Sequence, residues 1–364
     1  MRMLTVGGAM LDTIAIVDSD RIEHLEIPGS DGSFLLLEEG RKTEAEEVST
    51  HLGGGAVNAA VAMARLGMDV AVLVKIGTDA RAETILDRLK QEGVSCRWVL
   101  RDRSAPTGAS VLISSHDRNA AIFTFRGANA CLNVQDLHED AFSVDVVYIA
   151  NLSNQSADCF PGIVNRARAH GALVAANPGP RQLSARGQAF LESLSAIDIL
   201  VLNQREADLL VPSLVARAGE GGPALALASG EEVPALAARG LVGGGFEMGI
   251  AAYLGSVTRL GPNFVVITDG ARGAFVGSAT EILFAPALKS KVVGTAGAGD
   301  AFGATFTTYL ALDHSVQEAL QAATINSASV VGRIDTQTGL LRRPELDQRL
   351  AAKPAQSNVR RWAV

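Results

Sequence analysis

The sequence contains few cysteines and no long apolar run, and these two absences argue against disulfide-rich, zinc-binding and membrane-spanning proteins. The three cysteines, Cys96, Cys131 and Cys159, stand far apart, with no His or Cys beside them at the spacing of metal ligands. We therefore expect buried free thiols, not a disulfide framework or a zinc site. No apolar stretch approaches the ~20 residues that a membrane-crossing helix needs, so no membrane partner is expected.

An excess of basic residues is also missing. Lys and Arg number 32 against 39 Asp and Glu, a net charge of −7, and no basic cluster could neutralise a phosphate backbone. Nucleic acid is therefore not an expected partner. With 48 % hydrophobic and 20 % charged residues, the composition is typical of a soluble globular protein. Residues 1–8 enter a strand pattern without the apolar core of a signal peptide, so we expect a cytoplasmic protein.

The most informative stretch is the glycine-rich turn Gly294–Phe302, which runs into an apolar helix. Small residues at such a helix start leave backbone N–H groups bare at its positive end, where they attract anions. The amides of Gly297, Ala298 and Gly299 would then hold a phosphoryl group in transfer. Asp300 would accept the proton of the attacking hydroxyl. Alternatively, the turn is an ordinary helix start whose glycines serve close packing.

A second glycine-rich motif lies near the amino terminus, at Gly53–Ala60 followed by Ala64–Gly67. In this order, the two motifs resemble the amino- and carboxy-terminal signatures of the ribokinase-like (phosphofructokinase-B type, PfkB) sugar and nucleoside kinases. The resemblance implies an α/β fold of three α/β/α layers, with a mostly parallel central sheet and a small β-sheet lid. It also implies an enzyme that uses ATP and Mg²⁺ to phosphorylate a small-molecule sugar or nucleoside.

The chain fits a single ribokinase-like catalytic domain over residues 1–364. Strand and helix patterns alternate along much of it, which is typical of a parallel sheet covered by helices on both faces. Strand patterns without covering helices, at about 13–51 and 98–127, are expected to form the lid, with residues 116–119 as a hairpin turn. By analogy with the family, two such lids would clasp each other in a homodimer.

Two segments depart from this alternation. Residues 212–248 are rich in glycine and show no strand pattern, so we interpret them as an insertion that holds a helix at about 233–238. The arginine-rich tail beyond Arg342 is expected to add one helix and then fray.

The resemblance assigns five residues to the sugar: Asp12, Gly53, Gly54, Asn58 and Asn151. Asp12 would bind the sugar hydroxyls and Asn58 would hydrogen-bond the sugar, while the two glycines let the backbone approach closely. The alternative for Asp12, which stands between two strand patterns, is a solvated turn residue. The alternative for Asn58 is a helix-capping or core amide.

The resemblance also implies a nucleotide side, made by Asn203, Glu206, Thr268, Gly270, Gly273 and Asn326. Asn203 and Glu206 match the family's Asn-x-x-Glu motif, and Glu206 would hold Mg²⁺ through water, because Mg²⁺ prefers oxygen ligands and keeps several waters. Thr268, Gly270 and Gly273 would touch the ATP phosphates or ribose, and Asn326 would contact adenine. The alternatives are a polar helix start for the first pair and a core amide for Asn326.

Several positions differ from the family pattern. Gly55 stands where ribokinases commonly have Lys, and Asn151 lies near the place of their substrate-binding Glu, so free ribose is in doubt. The interval from Asp12 to Gly53 is longer than in plain ribokinases and would suit a ribonucleoside, so sugar and nucleoside both stay open. Gly294 replaces the usual Asp of the signature, and a monovalent cation should therefore bind weakly or not at all.

Two other classes of protein compete with this interpretation. A sensor that binds a sugar without chemistry would have no use for the base Asp300. A dehydrogenase would need a third glycine after Gly7 and Gly8 to open a helix, whereas the chain continues there as strand. The sequence therefore favours an ATP-dependent phosphotransferase acting on an alcohol group.

Overall fold

The computed structural model describes residues 1–18, 23–26, 33–36, 39–40, 42–114, 121–222, 225, 233–352 and 359–364. The hairpin turn predicted at 116–119 lies outside these residues, as do parts of the first lid segment and of the segment 212–248. Among the described residues, no helix combines the length and the apolar composition needed to cross a membrane.

The strands and helices are numbered separately, each in chain order. The strands are β1 (Arg2–Gly7), β2 (Met10–Ile16), β3 (Glu23–Glu26), β4 (Ser33–Leu36), β5 (Glu47–Gly53), β6 (Asp69–Ile76), β7 (Val99–Arg101), β8 (Gly108–Ser114), β9 (Ala121–Phe125), β10 (Val146–Ile149), β11 (Leu173–Ala176), β12 (Ile199–Asn203), β13 (Leu241–Gly243), β14 (Phe246–Met248), β15 (Phe264–Thr268), β16 (Ala274–Gly277), β17 (Glu281–Ala285) and β18 (Arg360–Ala363). The helices are α1 (Gly55–Arg65), α2 (Ala80–Gln91), α3 (Phe160–Ala169), α4 (Pro180–Ala185), α5 (Gly187–Ser193), α6 (Gln204–Ala218), α7 (Ala235–Arg239), α8 (Ile250–Thr258), α9 (Ala298–Ala311), α10 (Val316–Val331) and α11 (Arg343–Ala352).

The middle layer is a ten-stranded sheet in the order β18-β17-β16-β15-β12-β11-β10-β1-β6-β7. From β15 to β7 all neighbouring strands are parallel, and β16, β17 and β18 add an antiparallel edge. Every residue of β10 is buried, because the sheet has no solvent-facing side there. The mostly parallel sheet expected from the strand and helix alternation is thus confirmed.

Helices cover both faces of this sheet and enclose two apolar cores. On one face, α1, α2, α9, α10 and α11 bury small and branched residues such as Val57, Ile85 and Leu320. On the other, α3, α5, α6 and α8 bury larger ones such as Phe160, Phe190 and Tyr253. The spacing of the apolar positions, for example Ile85 and Leu89 on α2, puts one stripe of each helix on the sheet. The predicted three-layer arrangement follows from this packing.

A four-stranded sheet in the order β5-β2-β8-β9 stands apart from the central sheet and forms the lid. Its register places Asp12, Ser110 and Thr124 side by side on β2, β8 and β9. Paired residues share a face of a sheet, so these three side chains lie on the same face, together with buried Ile14 and Leu112. Asp12 lies within β2 and not in a turn, because this strand already begins at Met10.

The segment 212–248 contains more structure than its composition indicated. Helix α6 continues through Pro212 to Ala218, so the first residues of the segment belong to a regular helix. The described part beyond it contains α7, near the predicted helix, and the hairpin β13–β14, which the sequence pattern did not predict. At the carboxyl end, α11 is followed by β18, which pairs with β17, so the expectation that the tail frays is wrong for residues 360–363.

Candidate active site

A cavity of about 190 Å³ opens at the carboxyl edge of the central sheet. The residues around it follow the ends of parallel strands or begin α9: Asn151, Asn177, Pro178, Val201, Leu202, Asn203, Glu206, Thr268, Gly297, Gly299 and Asp300. Ligands of open α/β sheets gather at this edge, because the strand ends and the helix starts that follow them meet there. The structure therefore brings together residues that the carboxy-terminal motif and the Asn-x-x-Glu match singled out, whereas Gly53, Gly54 and Asn58 of the amino-terminal motif are not among these lining residues.

The start of α9 is open toward this cavity. Gly297 precedes the helix with φ 78° and ψ −8°, a left-handed conformation that favours glycine. A Cβ at Gly297 would lie 2.6 Å from the Cβ of Thr336, so the position leaves no room for a side chain. Among the described residues, no side chain caps this helix start, and the space beside Gly299 is free. The amides of the first turn are thus available to an anion.

Asp300 lies in that same first turn. Its Oδ2 accepts a hydrogen bond of 2.8 Å from Nδ2 of Asn58 on α1. Burial raises the pKa of Asp300 above its usual range; the bond from Asn58 partly offsets this effect, and the nearby charge of Asp12 adds to it. A carboxylate with a raised pKa is a better proton acceptor than a free one, which suits a general base.

The other end of the Asn58 side chain, its Oδ1, also has hydrogen-bond partners. Its Oδ1 accepts a 3.1 Å bond from Nε2 of Gln337, and the hydroxyl of Thr336 lies 2.9 Å away. The side chain is buried, and its amide is directed at Asp300. The sequence suggested either a sugar contact or a core amide, and the structure favours a third role, in which Asn58 positions the carboxylate.

Thr336 and Gln337 are residues that the sequence reasoning missed. They belong to a turn after α10 in which Oδ1 of Asp335 accepts bonds from the amides of Gln337 and Thr338. Nη1 of Arg65 donates to the carbonyl of Gln337 at 2.6 Å and fixes the turn to α1. The only sequence signal was a run of four polar residues, 335–338, after an apolar helix, and nothing in it names Asn58 as the partner.

Asp12 faces the site from the lid. It accepts a hydrogen bond from the hydroxyl of Ser110, the neighbouring residue across the strand pair. Burial raises the pKa of Asp12, while Ser110 and the charge of His51 oppose the rise. A Cβ at Gly53 would lie 1.9 Å from Oδ2 of Asp12, so the glycine makes room for this carboxylate. Gly54, with φ 96°, passes the backbone of Gly8 too closely for any side chain.

Asn203 and Glu206 form a capping box at the start of α6. Oδ1 of Asn203 accepts from the amide of Glu206, and Oε2 of Glu206 accepts from the amide of Asn203, both at 2.9 Å. This arrangement is the polar helix start that the sequence left as an alternative. The same Glu206 also lines the cavity, where burial foremost, and the charge of Asp300 in addition, raise its pKa to about 7.

Thr268 and the glycines after β15 lie beside this pair, on the side predicted for the nucleotide. Thr268 lines the cavity, and Gly270 has φ 56° with open space around it. Gly273 has φ 119°, and a Cβ there would stand 2.3 Å from the carbonyl oxygen of Ala285. Close packing against β17 is thus sufficient to explain glycine at position 273.

Asn326 has hydrogen-bond partners inside the protein at both ends of its side chain. It is fully buried in α10, where its Nδ2 donates to Thr305 at 2.8 Å and its Oδ1 accepts from the amide of Leu341 at 2.9 Å. The structure favours the core amide over the adenine contact, because both ends of the side chain already have partners inside the protein. A separate slot of about 240 Å³ lies nearby, between Leu288, Ile325, Ala328 and Ser329.

Asn151 lines the same cavity as Asp300, and Gly55 lies next to that carboxylate. Asn151 is exposed and packs so closely on Gly179 that a Cβ there would lie 2.3 Å from its side chain. A Cβ at Gly55 would stand 3.3 Å from Oδ1 of Asp300, so any side chain at this position would crowd the carboxylate. Glycine at position 55 therefore leaves the space next to Asp300 open.

Comparisons with known proteins agree with this geometry. A ribokinase from Mus musculus is 27 % identical over 342 residues, which cover 92 % of this chain and 90 % of the relative. An ATP-dependent ribose-1-phosphate kinase from Halopiger xanaduensis is 28 % identical over 334 residues, covering 92 % and 93 %. Among solved structures, an E. coli protein assigned as a ribokinase II, in complex with ATP and Mg²⁺, superposes with a TM-score of 0.73 at 18 % identity, covering 97 % of this chain and 99 % of the other.

The likeness extends to a whole protein family. The family model described as pfkB family carbohydrate kinase matches residues 27–343, well over half of the chain. It includes the lid strands β5, β8 and β9, the cavity residues and the open start of α9, whereas β2 with Asp12 lies before the matched residues. Members of this family use an alcohol group as phosphoryl acceptor, and the chain belongs to the pfkB family of carbohydrate kinases.

Proposed function

We propose that the protein transfers the γ-phosphoryl group of ATP to a hydroxymethyl group of a small sugar, with Asp300 as general base. The observation that carries this proposal is the position of Asp300 in the first turn of α9, whose free amides line the same cavity. A proton acceptor and an anion hole are thereby fixed to one rigid element, as phosphoryl transfer requires. A protein that only binds a sugar would need neither.

The chemistry of the step follows from the contacts of Asp300. Because Asn58 holds Oδ2, the other carboxylate oxygen is left to accept the proton of the sugar hydroxyl as this oxygen attacks the γ-phosphorus. The amides of Gly297–Gly299 stabilise the negative charge on the transferring group. The pKa of Asp300, raised by burial, lets it keep the proton while the phosphoryl group moves.

The donor set of the cavity fits Mg²⁺. Glu206 and Asp300 place two carboxylates on one cavity, and the charge of Asp300 makes Glu206 costlier to ionise, which a cation between them would relieve. In the described residues no group of three or more His, Cys, Asp or Glu is close enough to bind a metal alone. Mg²⁺ would then keep several waters, with Glu206 as a water-mediated partner, and would offset the charge of the ATP phosphates.

On the nucleotide side, Thr268 and Gly270 would approach the phosphates, since they lie beside Glu206 at the end of β15. The slot between Leu288, Ile325 and Ala328 would hold the adenine base. The slot lies beside the segment of α10 that contacts the start of α9, since Ser327, next to Ala328, donates its hydroxyl to the carbonyl of Ala298 at 3.1 Å. Apolar walls with a few polar groups are typical of such base pockets.

On the acceptor side, Asp12 on the lid would bind sugar hydroxyls, with Gly53 and Gly54 allowing close approach of the chain and Asn151 at the border of the cavity. The names of the relatives, a ribokinase and a ribose-1-phosphate kinase, support a pentose framework for the acceptor. One observation favours a ribonucleoside instead: the separate two-stranded pair β3–β4 lies in the long interval between β2 and β5, where it would widen the lid.

We also propose that two lids pair in a homodimer. The face of the lid opposite Asp12 exposes Val48, Val111, Phe123 and Phe125, each between 44 % and 64 % accessible. Soluble proteins rarely expose so contiguous an apolar face without a partner. A second copy of the chain would cover it.

The proposed function is tested by the turnover of Asp300→Asn. With ATP, Mg²⁺ and any accepted sugar or nucleoside, kcat should fall by ~10²–10⁴-fold while both KM values change only a few-fold, because a general base is lost. Asp313→Asn is the matched control, since it removes the same charge from an exposed residue with φ 62°, a conformation that Asn tolerates. Near-normal turnover of Asp300→Asn would contradict the mechanism.

A further inference from the structure

A second cavity, of about 480 Å³, lies beside the lid and contains two arginines that the mechanism does not use. Arg126 follows β9 and Arg181 lies in α4; Ser104, Thr124 and Asn154 add polar groups to the lining. The backbone of Arg126 is fixed, because its carbonyl accepts from the amide of Asn129 and the next residue, Gly127, packs against Pro106. The arginine is therefore presented from a rigid turn.

Neither arginine has an acidic partner among the described residues. Nη1 of Arg181 donates only to Oδ1 of Asn154, at 3.2 Å, and no hydrogen bond from the side chain of Arg126 reaches the described part of the chain. Burial, and then the charge of Arg181, lower the pKa of Arg126. Nearby Arg186, in contrast, pairs with Asp158 at 2.9 Å. Two guanidinium groups thus face one cavity without compensation, which an oxyanion would supply.

The arginine cavity adjoins the cavity of Asp300. Two chain segments run from one cavity to the other. Asn151 and Pro178 line the cavity of Asp300, and Asn154 and Arg181, each three residues further along the chain, line the arginine cavity. The lid provides the second connection, because Thr124 shares a row and a face with Ser110 and Asp12. Two strand spacings, roughly 10 Å, separate Asp12 from Thr124. A sugar bound at Asp12 would therefore carry one end to Asp300 and the other toward the arginines.

We propose that Arg126 and Arg181 bind a phosphate group on the acceptor, so that the enzyme phosphorylates a sugar that already carries a phosphate ester. This inference rests on the proposed function, and it names the class of acceptor that the site selects. Two guanidinium groups match the charge of a phosphate dianion, whereas a carboxylate would be neutralised by one of them. The Asn154 amide and the hydroxyls of Ser104 and Thr124 complete a polar lining for the remaining oxygens.

The test compares acceptors that share a free hydroxymethyl group and differ at the other end: D-ribose, ribose 1-phosphate and the open-chain acid D-ribonate, together with the corresponding hexose compounds. A phosphorylated acceptor should be used at least tenfold better than its parent sugar. Arg181→Gln and Arg126→Gln should each raise the KM for it by about 10- to 100-fold and leave the KM for ATP unchanged, because a charge-assisted contact is lost. Arg186→Gln, the matched control, should change neither constant.

Binding of inorganic phosphate, measured by calorimetry with a non-hydrolysable ATP analogue and Mg²⁺ filling the anion hole of α9, separates this proposal from the kinase assignment. The Arg126→Gln/Arg181→Gln double variant should lose the phosphate site, whereas Asp300→Asn should keep it. Preference for the neutral sugar with insensitivity to both arginines would overturn the proposal, and so would preference for the sugar acid or retention of phosphate by the double variant. Absence of transfer to every acceptor, with phosphate binding still dependent on the arginines, would instead contradict the proposed function.

Discussion

Helices α6 and α9 both begin at the cavity, but they differ in whether side chains bind the backbone N–H groups of the first turn. At α6, Asn203 and Glu206 bond to each other's amides, so that helix satisfies its own first turn. At α9, the left-handed Gly297 offers no side chain and the first amides stay open. Both starts carry a carboxylate, but only Asp300 stands over free N–H groups. The difference supports the proposal that α9 binds the transferring anion and that α6 binds the cation that accompanies it.

The largest effect within this comparison is expected from closing the start of α9. Gly297→Ala would place a Cβ 2.6 Å from that of Thr336 and force the turn out of its left-handed conformation. The amides would lose their alignment, and kcat should fall by about 100-fold, as on removal of one donor from an oxyanion hole. Gly67→Ala is the control in steady-state assays, because Gly67 has φ 88° but no neighbour within 4 Å. Equal losses in both variants would show that backbone strain, and not the anion hole, is responsible.

A smaller loss should follow from releasing Asp300 without removing it. Asn58→Ala deletes the 2.8 Å bond to Oδ2, and kcat should fall by roughly 10- to 50-fold with an unchanged KM for ATP. Because that bond lowers the pKa of Asp300, its loss should also move the acidic limb of the kcat profile to higher pH. A pH–rate profile that stays in place would mean that Asn58 contributes only to folding.

At α6 the expected effect concerns Mg²⁺ and not the chemical step. Glu206 has a pKa of about 7, so it binds a proton below that pH and carries its charge above it. The Mg²⁺ concentration for half-maximal rate should therefore fall by roughly five- to tenfold from pH 6 to pH 8 in the natural protein. In Glu206→Gln it should be higher and independent of pH. Superimposable Mg²⁺ titrations at the two pH values would leave Glu206 with its capping role alone.

The smallest effect is predicted for monovalent cations. Gly294 offers no carboxylate, and a Cβ there would meet the carbonyl oxygens of Arg333 and Ile334 at 3.0 and 3.1 Å. Carbonyls alone repay little of the hydration that K⁺ loses, so replacing Na⁺ by K⁺ at constant ionic strength should change kcat less than about twofold. Strong activation by K⁺ would show that these carbonyls suffice for a site.

How far the sequence predicts this site depends on whether the signal is local. Gly297, Gly299 and Asp300 were predictable because the turn, the helix start and the carboxylate are consecutive in the chain. The partner of Asp300 was not, because Asn58 lies 242 residues away and Thr336 contacts it across 278 residues. The choice between an adenine contact and a core amide for Asn326 stayed open for the same reason, since the partners of its side chain come from α9 and from Leu341.

The fold, like the site, could be predicted from the sequence only where the signal is local. Strands β6, β11 and β15 coincide with apolar runs of the sequence, because their burial in the central sheet marks them locally. Strand β18 was missed, since its polar sequence becomes a strand only by pairing with the edge strand β17. The hairpin β13–β14 was hidden by its glycines, which the turn between its strands requires at φ 60° and 84°.

We propose that α9 carries the base and the anion hole, whereas α6 binds the cation. The most direct test measures kcat of Asp300→Asn and of Glu206→Gln as a function of Mg²⁺ concentration, at saturating ATP and acceptor. Glu206→Gln should regain most of the natural kcat at high Mg²⁺, because the cation site is weakened and the base is intact. Asp300→Asn should stay at least ~10²-fold slow at every Mg²⁺ concentration, because no cation replaces a proton acceptor. Recovery of Asp300→Asn by Mg²⁺, or failure of Glu206→Gln to recover, would contradict the assignment of the anion hole and base to α9 and of the cation to α6.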